Sequence, residues 1–205
     1  RLREQYLVPA RQLLESGQTA QASESLLNRA LLALLRDEYQ NALQLASQVI
    51  ANESWRSEAK KLIGDVHAAA SAQHRKSGQH PQALAALTQA QEHYQAALRM
   101  ARSDPAYFYG AAKLYLNQLS LELYLGKSPI ATHEQLLKLS QELQQLQPDS
   151  IDARSVRLTA ALIMIRYHSD RREPFEHIES QAMIDLAYVR RFPMSPTTTQ
   201  RQAVL

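Results

Sequence analysis

Cysteine is absent from the 205 residues. Disulfides, thiolate nucleophiles and cysteine zinc sites are therefore excluded, while the compartment stays open. Glycine is scarce, at 5, and scattered, so there is no glycine-rich phosphate cradle. The catalytic-loop and metal-binding motifs of protein kinases are missing as well. No apolar run approaches the ~18 residues needed to span a bilayer. Leu26 to Leu35 is interrupted by Asn28 and Arg29, and Leu162 to Ile165 is too short. Neither sign of charge dominates: 23 Lys and Arg face 20 Asp and Glu for a net +3, interspersed along the chain. That pattern holds no nucleic-acid arm and no polybasic membrane segment. None of the seven histidines forms a His-x3-His pair, and His133-Glu134 opens like a zinc-protease motif whose fifth position is Leu137. Ser57-x2-Lys60 matches a short β-lactamase-type motif without its two companions. No catalytic residue, cofactor or metal site is assigned, and the segment is expected not to be an enzyme.

What is present is Ala, Leu and Gln in quantity, a profile that favours helix throughout. The stretch from Asp104 to Asp152 is the clearest unit. Asp104 is an N-cap and Pro105 a first helical residue. Phe108, Ala111, Ala112, Tyr115, Leu119 and Tyr124 then form an apolar face. Gly126 suits a left-handed stop. After Lys127-Ser128-Pro129 a second helix carries Leu136, Leu137, Leu139, Leu143 and Leu146, and Pro148 ends it. Flanking segments read as imperfect copies. Helices are expected from Ser23, from about Glu38 to Ala51, from Ser54 to Ser77 with Trp55, Ala59, Leu62 and Val66 inward, and from Pro81 to about Ala101. Two more follow, over 151–168 and 175–191. Residues 2–15 add an amphipathic helix interrupted by Pro9.

Two series of turns advance together. Gly78-Gln-His-Pro81, Gly126-Lys-Ser-Pro129 and Arg171-Arg-Glu-Pro174 lie inside hairpins. Ser103-Asp104-Pro105, Pro148-Asp149-Ser150 and Met194-Ser195-Pro196 lie between them. Both steps are roughly 45 to 48 residues, longer than the ~34 of the standard tetratricopeptide unit. Interleaved series with nearly one step point to a solenoid. Ordinary helical bundles use alanine between large residues in the same way, and that alternative stays open here.

Residues 78–81, 103–105, 126–129, 148–153 and 170–174 give the chain its likeness to a family. The pattern resembles the tetratricopeptide-like arrays of bacterial multidomain proteins, notably those C-terminal to bacterial Ser/Thr protein kinases. The likeness covers roughly Ser23 to Pro196 and rests on packing and turn residues. Arg154 departs from it, standing where the standard unit wants a large apolar residue. The resemblance implies an all-α, right-handed α-solenoid of antiparallel helix hairpins with about eight helices. The expected organisation is an N-terminal helix or cap over 1–22, the repeat domain over 23–196, and the start of a further helix or a tail over 197–205. A fragment of a longer protein is expected, cytoplasmic, or periplasmic if a membrane helix precedes Arg1.

In such arrays the first helix of each hairpin lines the concave face. Aligning Trp55 with Phe108 places Arg56, Lys60, Tyr109, Lys113 and Arg157 there, a basic stripe suited to an acidic segment or a terminal carboxylate. For any one of them a solvated helix face is the plainer reading. The functional expectation is a non-catalytic protein–protein interaction or regulatory module, with protein or peptide partners and no nucleic acid. A second reading is a small-ligand sensor with a concavity lined by Tyr107, Tyr109 and Tyr115. A third, an α-helical enzyme without a recognisable motif, has no residue to support it. Tyr107 and Tyr109 are not expected to face the core together.

Overall fold

The computed structural model describes residues 22–192, and every described regular element is an α-helix. In chain order they are α1 (Ala22–Leu35), α2 (Tyr39–Asn52), α3 (Ser57–Lys76), α4 (His80–Met100), α5 (Pro105–Tyr124), α6 (Ile130–Leu146), α7 (Ile151–Arg171) and α8 (Glu176–Val189). The expectations for residues 1–21 and 193–205 lie outside the described residues.

Each helix packs chiefly on its neighbours in the chain. The hairpins α1–α2, α3–α4, α5–α6 and α7–α8 are the tightest pairs, and α2–α3, α4–α5 and α6–α7 join them in file. Beyond that, α5 packs on α7 and α1 touches α3, whereas no two second helices meet to a comparable extent. That is an α-solenoid, in which each hairpin hides its apolar side against the next. The core is correspondingly a series of clusters rather than one centre. One gathers α1, α2 and α3 around Ala30, Ala42, Ala46 and Leu62, another gathers α5 to α8 around Leu119, Leu136, Met164 and Ile178. Alanines at 30, 42, 59, 83, 90, 112, 153 and 160 are fully buried, which is what lets the helix axes approach.

The hairpin turns are copies of one device. Asp37, Gly78, Gly126 and Arg172 have positive φ, at 62, 72, 68 and 56°. At each, the following N–H donates back to the carbonyl five residues earlier: Glu38 to Ala33, Gln79 to His74, Lys127 to Glu122, Glu173 to His168. This is the Schellman closure of a helix C-terminus. Two of the four sites lack glycine, and holding a side chain in the left-handed region costs about 1–2 kcal/mol. Arg172→Gly is therefore expected to raise stability by up to about 1 kcal/mol, read as the shift of the urea midpoint. A fall in the midpoint would mean that the arginine side chain contributes more than its backbone strain removes.

The turns between hairpins also repeat. The N–H of Arg56 reaches the Glu53 carbonyl, that of Asp104 reaches Ala101 and that of Ser150 reaches Gln147. These are the N-caps of α3, α5 and α7. Asp104 accepts from the Ala106 N–H at 2.9 Å and Ser150 from the Ala153 N–H at 3.2 Å. Arg56 has no oxygen with which to do so. This register corrects the reading of Trp55. It lies in the turn before the α3 N-cap, 67 % exposed, and α3 begins at Ser57. Tyr124, assigned to the apolar face of α5, is also exposed. Conversely Tyr107 and Phe108 are both buried, because α5 is covered by α4, α6 and α7 at once.

One side chain locks three helices. Tyr94 of α4 is 3 % exposed and lies between Gly64 of α3 and Gly110 of α5. A Cβ at Gly64 would stand 2.5 Å from the ring, and one at Gly110 2.6 Å. The Tyr94 hydroxyl donates to Asp65. Burial first, then the Asp65 carboxylate, push its pKa far above the ordinary tyrosine value.

Candidate functional site

The five residues of the expected basic stripe do not share one register. Arg56 is the α3 N-cap itself and Lys60 the fourth residue beyond it. Tyr109 and Lys113 are the fifth and ninth beyond Asp104, and Arg157 the seventh beyond Ser150. Arg56 bonds Glu53 at 2.6 Å and stacks against Trp55 at 5.5 Å. Lys113 is exposed and sits 5.1 Å over the half-buried Tyr109 ring. Lys60 is half-buried on α3, near enough to His93 to oppose its protonation.

Arg157 has a different occupation. It is 9 % exposed, and its guanidinium donates through Nε and Nη2 to the two oxygens of Asp185 on α8, at 2.9 and 2.6 Å. Its Nη1 is taken by Gln144 of α6. Arg154 reaches the same carboxylate at 3.3 Å and lies 3.8 Å over the Tyr188 ring. The arginine in the apolar slot of the repeat is thus accommodated by a cation–π contact and a buried acid. The charge of Arg157 is neutralised inside the fold.

The three tyrosines of the sensor reading diverge. The Tyr107 hydroxyl meets Ser57 on α3 at 3.2 Å, and that of Tyr115 accepts from Gln95 on α4 at 3.1 Å. Tyr109 carries Lys113.

Because the second helices stand apart, clefts open between them. The cleft between α4 and α6 is an open groove of about 720 Å³, with Leu98, Phe108 and Leu146 as apolar lining and Arg99, Arg102 and Lys138 around it. All three cations are exposed, and none is ion-paired within the described residues. Glu142 is the single carboxylate lining this cleft. Sequence reasoning missed this surface because it belongs to second helices and to the turn at Arg102. A second cleft, of about 330 Å³, lies between α6, α7 and α8.

Histidines gather at two helix contacts. His67 of α3 stacks on His93 of α4 with centroids 5.6 Å apart. Burial lowers both pKa values. His93 lowers that of His67 further, and at His93 the Glu92 carboxylate partly opposes the shift while Lys60 adds to it. Burial and then His168 lower that of His133. Folded-state values below the unfolded ~6.5 mean that the unfolded chain takes up protons first as pH falls. Stability is expected to be full above pH 7, to decline as pH drops through 6.5, and to level once the folded histidines also protonate. Thermal midpoints from pH 7.5 to 5 would show the slope, and H67Q/H93Q should reduce it to the part that His133 contributes. A flat profile in the unaltered protein would contradict the assignment.

No family model matches the chain, and no curated protein matches it. Among solved structures it is similar to one titled "MamA RS-1 ArsTM double mutant", with 16 % identity, a TM-score of 0.47, and coverage of 91 % of this chain and 88 % of that one. The solenoid assignment above rests on this chain's own helix contacts.

Proposed function

We propose that this chain is a non-catalytic protein-interaction module whose partner contributes an acidic segment. The observation that supports it is the α4–α6 cleft, where three unpaired cations, Arg99, Arg102 and Lys138, surround apolar side chains. Such a surface suits a peptide alternating carboxylates with apolar residues, each supplying what the other contact lacks. Lys60, Lys113 and Tyr109 on first helices are a second, smaller set of contacts in the same reading, Arg56 a contact already shared with Glu53, and Arg157 is left out because Asp185 holds it. Among the described residues no helix is long and apolar enough to cross a membrane. The likeness of the turns to arrays attached to bacterial Ser/Thr kinases supports a finer proposal, that the module regulates an attached domain of that kind. Adding the isolated module in trans to such a domain would then change its phosphorylation rate, and no change would remove the finer proposal.

The test is fluorescence anisotropy with a labelled peptide of alternating Glu and Leu. Exposed charge contacts contribute about 0.2–1 kcal/mol each, so R99E/R102E/K138E should weaken binding by about threefold to a hundredfold. The affinity of the unaltered chain should fall as salt rises. Equal binding by the triple variant would refute the assignment of the cleft, and a loss confined to K60E/K113E would move the site to the first helices.

A further inference from the structure

The cleft between α6, α7 and α8 is independent of the basic surface and has its own chemistry. Its apolar lining includes Leu137, Met164 and Ile178, the last two buried. Three imidazoles from three helices line it: His133 of α6, His168 of α7 and His177 just inside α8. At about 330 Å³ it admits one small molecule or a single tail. We propose that this cleft binds a small monocarboxylate with an apolar tail, the tail against Met164 and Ile178 and the carboxylate among the three histidines.

The charges facing the site favour that class. Asp185 lies in the lining, but both its oxygens are engaged by Arg157 and Arg154, so it offers no free charge to a cation. Glu173 holds one ring nitrogen of His168 at 2.8 Å. The imidazoles of His133 and His177 have no hydrogen-bond or ion-pair partner among the described residues. Glu134, on the same helix as His133, is the remaining carboxylate of the lining and is exposed. Burial first, then His168, lower the pKa of His133; Glu134 opposes the shift and His177 adds to it. An anion placed among these rings would reverse that balance, so binding would draw a proton onto an imidazole. Affinity should then rise as pH falls, by up to about tenfold per unit above the pKa of the free ring. The carboxylate ligand itself stays ionised over this range.

Octanoate, octanol and octylamine titrated into the 205-residue chain at pH 6 and pH 8, by calorimetry with backbone NMR shifts, test this directly. Octanoate should bind one-to-one at least about tenfold tighter at pH 6 than at pH 8, with the largest shifts in α6, α7 and α8. Octanol should bind weakly and without pH dependence, and octylamine not measurably. H133Q/H177Q should remove most of the pH dependence. Should the double variant lose its fold by circular dichroism, H177Q alone, altering an exposed residue, should reduce it. Octanoate binding that is equal at the two pH values, octylamine binding as tightly as octanoate, or shifts centred elsewhere would each overturn the proposal.

Discussion

Replacing Asp185 by alanine is expected to cost about 3–5 kcal/mol of unfolding free energy. The carboxylate is 1 % exposed and is the shared acceptor of Arg157 and Arg154. Removing it leaves the Arg157 guanidinium, itself buried, without its charge partner between α7 and α8. The loss would measure an orphaned charge rather than the net worth of the pair. Replacing both ends by apolar residues, R157M with D185L, should therefore recover most of the stability. Urea unfolding of the single and double variants decides it. A loss below about 1 kcal/mol for Asp185→Ala, of the size found for exposed pairs, would mean that water reaches the site.

Gly110→Ala is expected to destabilise where helix propensity alone would stabilise. Alanine inside a helix is favoured over glycine by about 1 kcal/mol. Here the added methyl would stand 2.6 Å from Cε1 and 2.7 Å from the hydroxyl oxygen of Tyr94. The ring cannot retreat, because Gly64 backs it on the other side and Asp65 fixes its hydroxyl. Overpacking of this kind costs about 1–3 kcal/mol, enough to reverse the sign. Gly64→Ala should behave alike, with the Ala90 carbonyl 3.1 Å from its added carbon. The control is Tyr94→Leu: in that background Gly110→Ala should turn neutral or favourable. A stabilising Gly110→Ala in the unaltered background would show that α5 can slide away from α4.

The positions of the hairpins were readable in the sequence because the devices that end helices are local. Gly78 and Gly126 mark left-handed stops, and Asp104 and Ser150 mark caps whose oxygens bond the next turn. The first and last stops were harder, since Asp37 and Arg172 adopt the same φ without glycine. The register of α3 is hidden for a physical reason. Trp55 is large and apolar like Phe108, yet the turn geometry sets Arg56, not a residue before Trp55, level with Asp104. The α3 and α5 residues of the basic stripe are displaced from one another by the same offset. Arg157 is basic and periodic in sequence, and nothing local reveals Asp185, 28 residues on, as its partner. The Tyr94 slot and the gathering of His133, His168 and His177 are likewise products of packing between helices, which joins residues that are distant in the sequence.

The stacking itself is best tested by native-state hydrogen exchange on Asp185→Ala, residue by residue. In a file of hairpins the stability lost at α7–α8 is shared with the nearest neighbour and fades with distance. Protection should collapse in α7 and α8, fall in α5 and α6, and remain near its original level in α1, α2 and α3. An equal loss of protection from α1 to α8 would mean that the helices share one cooperative core, and the solenoid would have to be abandoned together with the clefts read from it.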